Sequence, residues 1–358
     1  MSTTDSLTIN RLLTEAAERQ VSDLHFAVGA NPAVRRDGKL ETLTNEPPIT
    51  EEFMKELVEF FIPENKREHF KSAQTLTLTY NFGTRARFRV HGSYQKGYPA
   101  LDLHYVPWQA PDVTTMGLPK ILLNSIKEKE GLILLSGLQG SGRSATLAAL
   151  LDNINHTAAK HIVTIEDPVE YLLTNDKSFI KQKDVGDDIP SVEEALGGLK
   201  DEDVDVLAID VPLNMAAWRE IFTRARSGTL VFVAMEADTS VRALESLILS
   251  WPGAEADSLK QLLSETLLIA TSQRLVPRVG GGKVMVVECL LGNTPVKSLI
   301  HDGKILQLQN VLELSREDGM VSLEKRLSDL VKTGEITQED AVAHAVNKEV
   351  IGSMLRVK

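Results

Sequence analysis

The clearest chemistry in this chain lies in one run, Gly137-Leu138-Gln139-Gly140-Ser141-Gly142-Arg143-Ser144. An apolar run, Leu132-Ile133-Leu134-Leu135, precedes it, and a helical pattern opens at Ala145. The spacing is that of a phosphate-binding loop, G-x-x-x-x-G-K-[ST], with arginine where the lysine belongs. Glycines let backbone N–H groups turn inward around phosphate oxygens, and the N-terminus of the following helix favours negative charge. Gly137, Gly140, Ser141, Gly142, Arg143, Ser144 and Ala145 are therefore the expected nucleotide-binding residues, with the Ser144 hydroxyl placed to hold Mg2+. Lysine is a compact point charge, whereas arginine is longer and planar. Arg143 thus either grips phosphate differently or folds outward and leaves the loop empty. The plain alternative is a Gly-rich strand-to-helix turn.

Two further groups of charged residues are candidates. Ile165-Glu166-Asp167-Pro168-Val169-Glu170 closes an apolar segment, and carboxylates at the C-terminal edge of a strand can orient Mg2+ or water. Glu166 and Glu170 are the catalytic candidates, against a solvated turn capped by Pro168. Arg85, Arg87 and Arg89 alternate along an expected strand, so they share one face, suited either to clamping phosphate or to meeting a neighbouring acidic surface. A solvated strand face is the simpler reading. The eight histidines show no H-E-x-x-H or paired spacing, which argues against a zinc site.

The elements that must position these groups follow from composition and periodicity. A length of 358 residues suggests two or three domains, and the composition excludes global disorder, collagen and coiled coil. A net charge of −11 argues against broad non-specific nucleic-acid binding. The single cysteine, Cys289, excludes an intrachain disulfide, points to a reducing compartment, and sits in an apolar run as a core residue. Residues 1–10 are polar, unlike a signal peptide, and no run approaches the ~18 apolar residues that span a membrane. A soluble cytoplasmic protein is expected.

The fold class expected is α/β. Residues 1–106 read as an α+β module, with a helix over 7–20, an extended start at Ser22, a hairpin at Arg36-Asp37-Gly38-Lys39, a helix over 50–61 capped by Thr50, and strands over 76–80 and 85–91. Residues 107–119 read as a linker. Residues 120–293 alternate short apolar strands (132–135, 161–165, 206–209, 230–233) with helices, the pattern of a largely parallel sheet. Gly280-Gly281-Gly282 reads as a hairpin turn, and residues 294–358 as helical, with the Leu/Val stripe of 323–331 facing a core rather than a partner.

At this point the chain resembles the PilT-like motor ATPases of type IV pili, within the type II/IV secretion ATPase superfamily. The resemblance runs from Ser22 to Ala345. It is carried by Ser22-Asp23-Leu24-His25, Arg87-Phe88-Arg89-Val90, the 137–144 loop with Thr146-Leu147-Ala148, the 165–170 acidic box, Gln273-Arg274-Leu275-Val276-Pro277-Arg278, Asn293-Thr294-Pro295, and Ser298-Leu299-Ile300 with Gly303-Lys304. The resemblance implies a PAS-like N-terminal domain on a RecA-like P-loop ATPase core with a helical C-terminal region. It also implies ATP and Mg2+ as cofactors and assembly into a hexameric ring. In the family, hydrolysis between subunits drives disassembly of the pilus fibre through an inner-membrane platform protein, and the arginines matching Arg85, Arg87 and Arg89 reach the adjacent subunit's nucleotide.

Several positions depart from the family pattern. Val211 stands where a glutamate polarises the attacking water, and Asp210 replaces a glycine, at a place where many P-loop NTPases keep a Mg2+-contacting aspartate. Both box histidines are gone, in Gly228-Thr229-Leu230-Val231-Phe232 and in Met235-Glu236-Ala237, and an Arg-Asp pair has become Leu213-Asn214. Two function classes are therefore expected. One is a catalytically impaired paralogue that binds nucleotide weakly or not at all and modulates or scaffolds an active motor, as a homo-hexamer or a mixed hexamer with an intact PilT-like ATPase. The other is an active hexameric ATPase driving pilus retraction. Either is expected in the cytoplasm, peripheral at the inner membrane through the pilus platform, without spanning it and without nucleic acid.

Overall fold

Period-two burial organises the first strands: β1 (Asp23–Ala27) buries Leu24 and Phe26 and leaves Asp23, His25 and Ala27 partly exposed. The computed structural model describes residues 3–18, 21–36, 39–84, 86–314 and 319–356, leaving aside the side chains of 3–6 and 254. Contacts divide it into two units, Met1–Gln109 with Pro168–Leu172, and Ala110–Asp167 with Leu173–Lys358.

In the first unit, β1 joins β2 (Ala33–Arg36), β3 (Lys39–Thr42), β4 (Thr75–Phe82), β5 (Ala86–Gln95) and β6 (Tyr98–Pro107) in an antiparallel sheet of order β3-β2-β1-β6-β5-β4. The expected turn residues Asp37 and Gly38 lie outside the described residues, but Arg36 does pair with Lys39 across β2 and β3. The helix Glu51–Phe61 starts where Thr50 accepts a hydrogen bond from the Phe53 N–H at 3.1 Å. It buries Met54, Leu57 and Phe61, one face at helical spacing. Two elements have no counterpart in the periodicity. The helix Glu64–Ala73 buries only Phe70, so it carries no apolar stripe. Strand β6 follows β5 through the two-residue turn Lys96-Gly97.

The second unit holds a seven-stranded sheet of order β13-β12-β7-β11-β10-β8-β9, built from β7 (Gly131–Gly137), β8 (His161–Glu166), β9 (Phe179–Asp184), β10 (Val206–Asp210), β11 (Leu230–Met235), β12 (Leu267–Pro277) and β13 (Lys283–Leu291). All neighbours are parallel except β12 and β13, a hairpin turning through Gly280-Gly281-Gly282. Alternate residues of the same strands feed two separate cores: Leu132 and Leu134 on one face, Ile133 and Leu135 on the other with Leu147, Leu150 and Leu151 of the helix Arg143–Thr157. Burial on both faces explains the continuous apolar runs of the central strands. Cys289 is fully buried in the second of these cores, and its thiol pKa is pushed up by burial. The C-terminal stripe is core, with Leu323, Leu327 and Leu330 packing with Val276 and Val286.

Two boundaries differ from the expected layout. The stretch 107–119 is not a free spacer, because Val113 and Leu118 are buried in the second unit and Asp112 accepts from the Thr114 N–H at 2.8 Å to close a turn. The stretch Pro168–Leu172 groups with the N-terminal unit although it interrupts the second in sequence.

One fully buried carboxylate ties separate helices of the second unit together. Glu288 on β13 accepts from the Ser240 N–H at 2.8 Å, the Ser240 hydroxyl at 2.6 Å and the Leu323 N–H at 3.3 Å. It thereby caps the helices Ser240–Leu249 and Leu323–Lys332. Burial raises its pKa, against the opposing pull of those hydrogen bonds. Glu288→Ala leaves these donors without an acceptor and is expected to cost about 2–4 kcal/mol in urea unfolding. A raised folded pKa means the native chain keeps a proton the unfolded chain has lost. Its stabilising contribution is thus full below the usual glutamate range and falls as pH rises through the folded value. Glu288→Gln should flatten that slope of stability against pH; an unchanged slope would count against the assignment.

Candidate functional site

The parallel order β7-β11-β10-β8 brings four C-terminal strand ends together, the usual place for a ligand in an open α/β sheet. Asp210 at the end of β10 lies opposite Glu166 at the end of β8, and Ser136 on β7 lies opposite Met235 on β11. The loop from Gly137 turns directly into the helix Arg143–Thr157, whose N-cap Gly142 has φ +87°, a backbone that excludes ordinary side chains. Gly137 is required for a different reason: a Cβ there would stand 2.7 Å from the Gln273 carbonyl oxygen on β12. The Gln273 amide then donates to the Ser141 carbonyl at 2.9 Å.

Among the described residues, two polar atoms of this loop are buried without a hydrogen-bond partner, Arg143 Nη1 and Ser141 Oγ. A buried guanidinium N–H with no acceptor costs on the order of 1–3 kcal/mol. An anion beside the helix N-terminus would supply the acceptor, and the adjoining backbone N–H groups add to its field. Ser144 Oγ donates to Asp210 Oδ2 at 2.9 Å, so the two residues expected at the cation are adjacent. Among the described residues no cluster of three His, Cys, Asp or Glu side chains could hold a metal ion. A cation here would rest on one hydroxyl, one carboxylate, phosphate oxygens and water, a donor set that suits Mg2+.

Glu166 is buried at the same edge, and its Oε1 accepts from Thr164 Oγ1 at 2.6 Å and from Gln182 Nε2 at 3.3 Å. Val211 is 8% exposed and packed in the apolar core. Glu236 is exposed on the loop after β11. Thr164, Gln182 and Gln273 have no role in the sequence-based site. For Thr164 and Gln273 the signal that could have found them is a polar side chain inside a largely apolar strand; Gln182, in the polar strand Phe179–Asp184, carries no such signal.

The other candidates belong to the N-terminal unit. Arg85 lies outside the described residues. Arg87 is not on a solvated face: it is 7% exposed and donates to Thr79 Oγ1 across the β4–β5 pair. Arg89 pairs with Glu170 at 2.5 Å, so neither arginine is an open clamp. Glu170, expected beside Glu166, instead neutralises Arg89 within this unit, which divides the acidic box between the two units.

A family model described as "Type II/IV secretion system protein" matches residues 113–188, the phosphate loop and acidic box included. The type IV pilus retraction ATPase PilT of Pseudomonas aeruginosa is 29% identical over 93% of this chain and 96% of its own. The type IV pilus ATPase PilU of the same organism is 30% identical over 97% of this chain and 91% of its own. The chain belongs to the PilT/PilU family of type II/IV secretion ATPases. A crystal structure of the pilus retraction motor PilT with bound ADP superposes with a TM-score of 0.84 at 32% identity, covering 96% of this chain and 99% of that one. The PilT-like architecture, an N-terminal domain followed by an ATPase core with a helical C-terminal region, therefore extends over nearly the whole length. Among the described residues no helix is long and apolar enough to cross a membrane.

The orphaned arginine makes a stability prediction. Without anion, Arg143→Met should raise the melting temperature by the equivalent of about 0.5–1 kcal/mol, since a buried unpaired donor is removed. Added pyrophosphate should then stabilise the wild type more than the variant in the same thermal scan. Equal shifts would show that Arg143 does not face the anion.

Proposed function

We propose that this chain is a ring-forming subunit of a type IV pilus or related secretion motor, acting at the cytoplasmic face of the inner membrane. Its loop holds the phosphates of a nucleotide weakly, and hydrolysis stays at background level. Its role is to modulate or scaffold an intact PilT-like ATPase in a shared hexamer. The observation that carries this reading is a contrast at one sheet edge: the anion cradle retains buried, unmatched donors, while Val211 fills the position that should activate water.

ATP fits the residues present. Arg143 and Ser141 supply donors that lack acceptors, and the N-terminus of the Arg143–Thr157 helix faces the same loop. Ser144 and Asp210 would hold Mg2+, which, when bound, neutralises charge on the phosphate oxygens. Glu166 is held by Thr164 and Gln182 in one orientation, and so presents a fixed carboxyl group at the sheet edge. Valine can neither accept a proton nor orient a water. Loss of one such group commonly slows turnover by about 10²–10⁴-fold. The adjacent Asp210 does not replace the missing glutamate, because its carboxylate, at the end of β10, is bonded to Ser144.

The competing reading, an active retraction ATPase, draws on the Ser144–Asp210 pair and the buried Glu166. Titration with ATP and ADP, with and without Mg2+, alongside phosphate release, separates the two. Weak Mg2+-dependent binding with background hydrolysis is expected. Robust phosphate release abolished by Ser144→Ala would sink the impaired-motor reading. Arg143→Lys combined with Val211→Glu should raise affinity or turnover if the surrounding geometry is intact. Sedimentation of the chain alone and mixed with an intact PilT-like ATPase tests for the shared ring.

A further inference from the structure

Adjacent residues of β12 make polar contacts on opposite faces of the strand. On one face Gln273, 2% exposed, donates from Nε2 to the Ser141 carbonyl at 2.9 Å, with its backbone carbonyl against Gly137. The same amide nitrogen would stand 3.5 Å from a Cβ at Gly142, the N-cap of the phosphate-loop helix. On the other face Arg274 donates from Nη2 to the Asp238 carbonyl at 2.7 Å and from Nη1 to the His344 carbonyl. Ser272, on that face too, donates to the Ala237 carbonyl at 3.4 Å. Asp238 lies on the loop after β11, and His344 is the last residue of the helix Gln338–His344.

The charge around Arg274 is built to hold it there. Burial lowers its pKa, and the carboxylates of Asp238, Glu288 and Glu324 oppose that shift. Glu324 in turn accepts from the N–H groups of Val346 and Asn347, at 3.2 and 2.9 Å, which fixes the chain just after His344. At the Gln273 end water cannot replace a lost bond at little cost, since the amide is buried and its Oε1 has no partner among the described residues.

We infer that Gln273 and Arg274 are positioning residues for the phosphate loop, and that through β12 they couple the anion affinity of the loop to the docking of the C-terminal helices. Gln273 sets the Ser141 peptide so that the loop's N–H groups converge. Arg274 pins the strand that carries Gln273 to the 236–239 loop and to the end of the Gln338–His344 helix. A strand with two hydrogen-bonded neighbours, β7 and β13, shifts as a unit, so a displacement on the Arg274 face moves Gln273. Coupling between two sites is reciprocal, so anion at the loop must also tighten the 338–347 segment. The affinity part rests on the nucleotide reading above; the mechanical part does not.

The test uses full-length Gln273→Leu, Arg274→Met and Arg274→Lys, each checked for native circular dichroism. Without nucleotide, hydrogen exchange should quicken at residues 138–146 in Gln273→Leu and also in Arg274→Met, whose altered side chain does not touch the loop. Arg274→Lys, which restores the charge and a donor, should recover part of the protection. With ADP, affinity should fall about tenfold in Gln273→Leu and three- to tenfold in Arg274→Met. ADP should also slow exchange at 338–347 in the wild type. Faster exchange in Arg274→Met confined to 236–239 and 338–347, with the loop unchanged, overturns the coupling whatever the nucleotide result. If the wild type takes up no ADP while the loop still responds to Arg274→Met, the nucleotide reading fails and the strut stands.

Discussion

The approach of β7 to β12 at Gly137 is the constraint on which the candidate site depends. Main chain meets main chain there with no room for a side chain, and only that closeness lets Gln273 reach the Ser141 carbonyl and the loop close onto the helix at Gly142. Further along the same pair, Ser136 donates to the Thr271 carbonyl at 2.6 Å and Thr271 to the Leu134 carbonyl at 3.1 Å. The edge is therefore fastened by side chains as well as by the strand ladder. The close packing is what a phosphate cradle needs, because N–H groups can only converge if the peptide units carrying them do not drift.

Buried polar groups in the second unit fall into two kinds. Glu288 and Glu166 are buried and satisfied, and each orders the chain around it. Arg143 Nη1 and Ser141 Oγ are buried and unsatisfied, both in one loop. Trp251 Nε1 and Ser328 Oγ are buried without a partner too, but the pair in this loop lies beside a helix N-terminus, where an anion would supply the missing acceptor. Val211 completes the picture: just past the end of β10, beside polar Asp210, it packs in the core.

In the N-terminal unit, charge is paired locally. Asp23 lies opposite His104 and His25 opposite Asp102 in the β1–β6 register, with ring nitrogens 2.9 and 2.6 Å from the carboxylates. Partial burial pushes the Asp23 carboxyl upward, but hydrogen bonds with His104 and Ser22 outweigh it and hold the pKa below the usual range. The Ser22-Asp23-Leu24-His25 motif thus has a structural reason on the sheet face, alternating with Leu24 in the core. Arg89 and Glu170 follow the same rule, which makes freeing Arg89 for any other anion a matter of breaking an ion pair first.

Much of the fold was legible because the signals were local. Apolar strands alternating with helices announced the parallel sheet, Thr50 announced a helix start, and the Gly-x-x-x-x-Gly spacing placed the loop at a strand-to-helix junction. Ser144 and Asp210 could be paired because both sit at fixed offsets from strand ends. Elements without periodicity escaped, such as the Glu64–Ala73 helix with its single buried Phe70. So did most properties that depend on a partner distant in sequence. Whether Arg87 was solvated or buried, whether Glu170 faced Glu166 or Arg89, and whether 107–119 was free chain were decided by what packed against them. Gln273 and Glu288 gained their roles in the same way, from carbonyls and N–H groups more than thirty residues away. The sequence by itself determined where the chain can form strands, helices and an anion loop, since backbone preference and hydrophobic period are properties of neighbours. Only the tertiary structure decided which polar atoms are satisfied, since burial and hydrogen bonding are settled when distant strands meet.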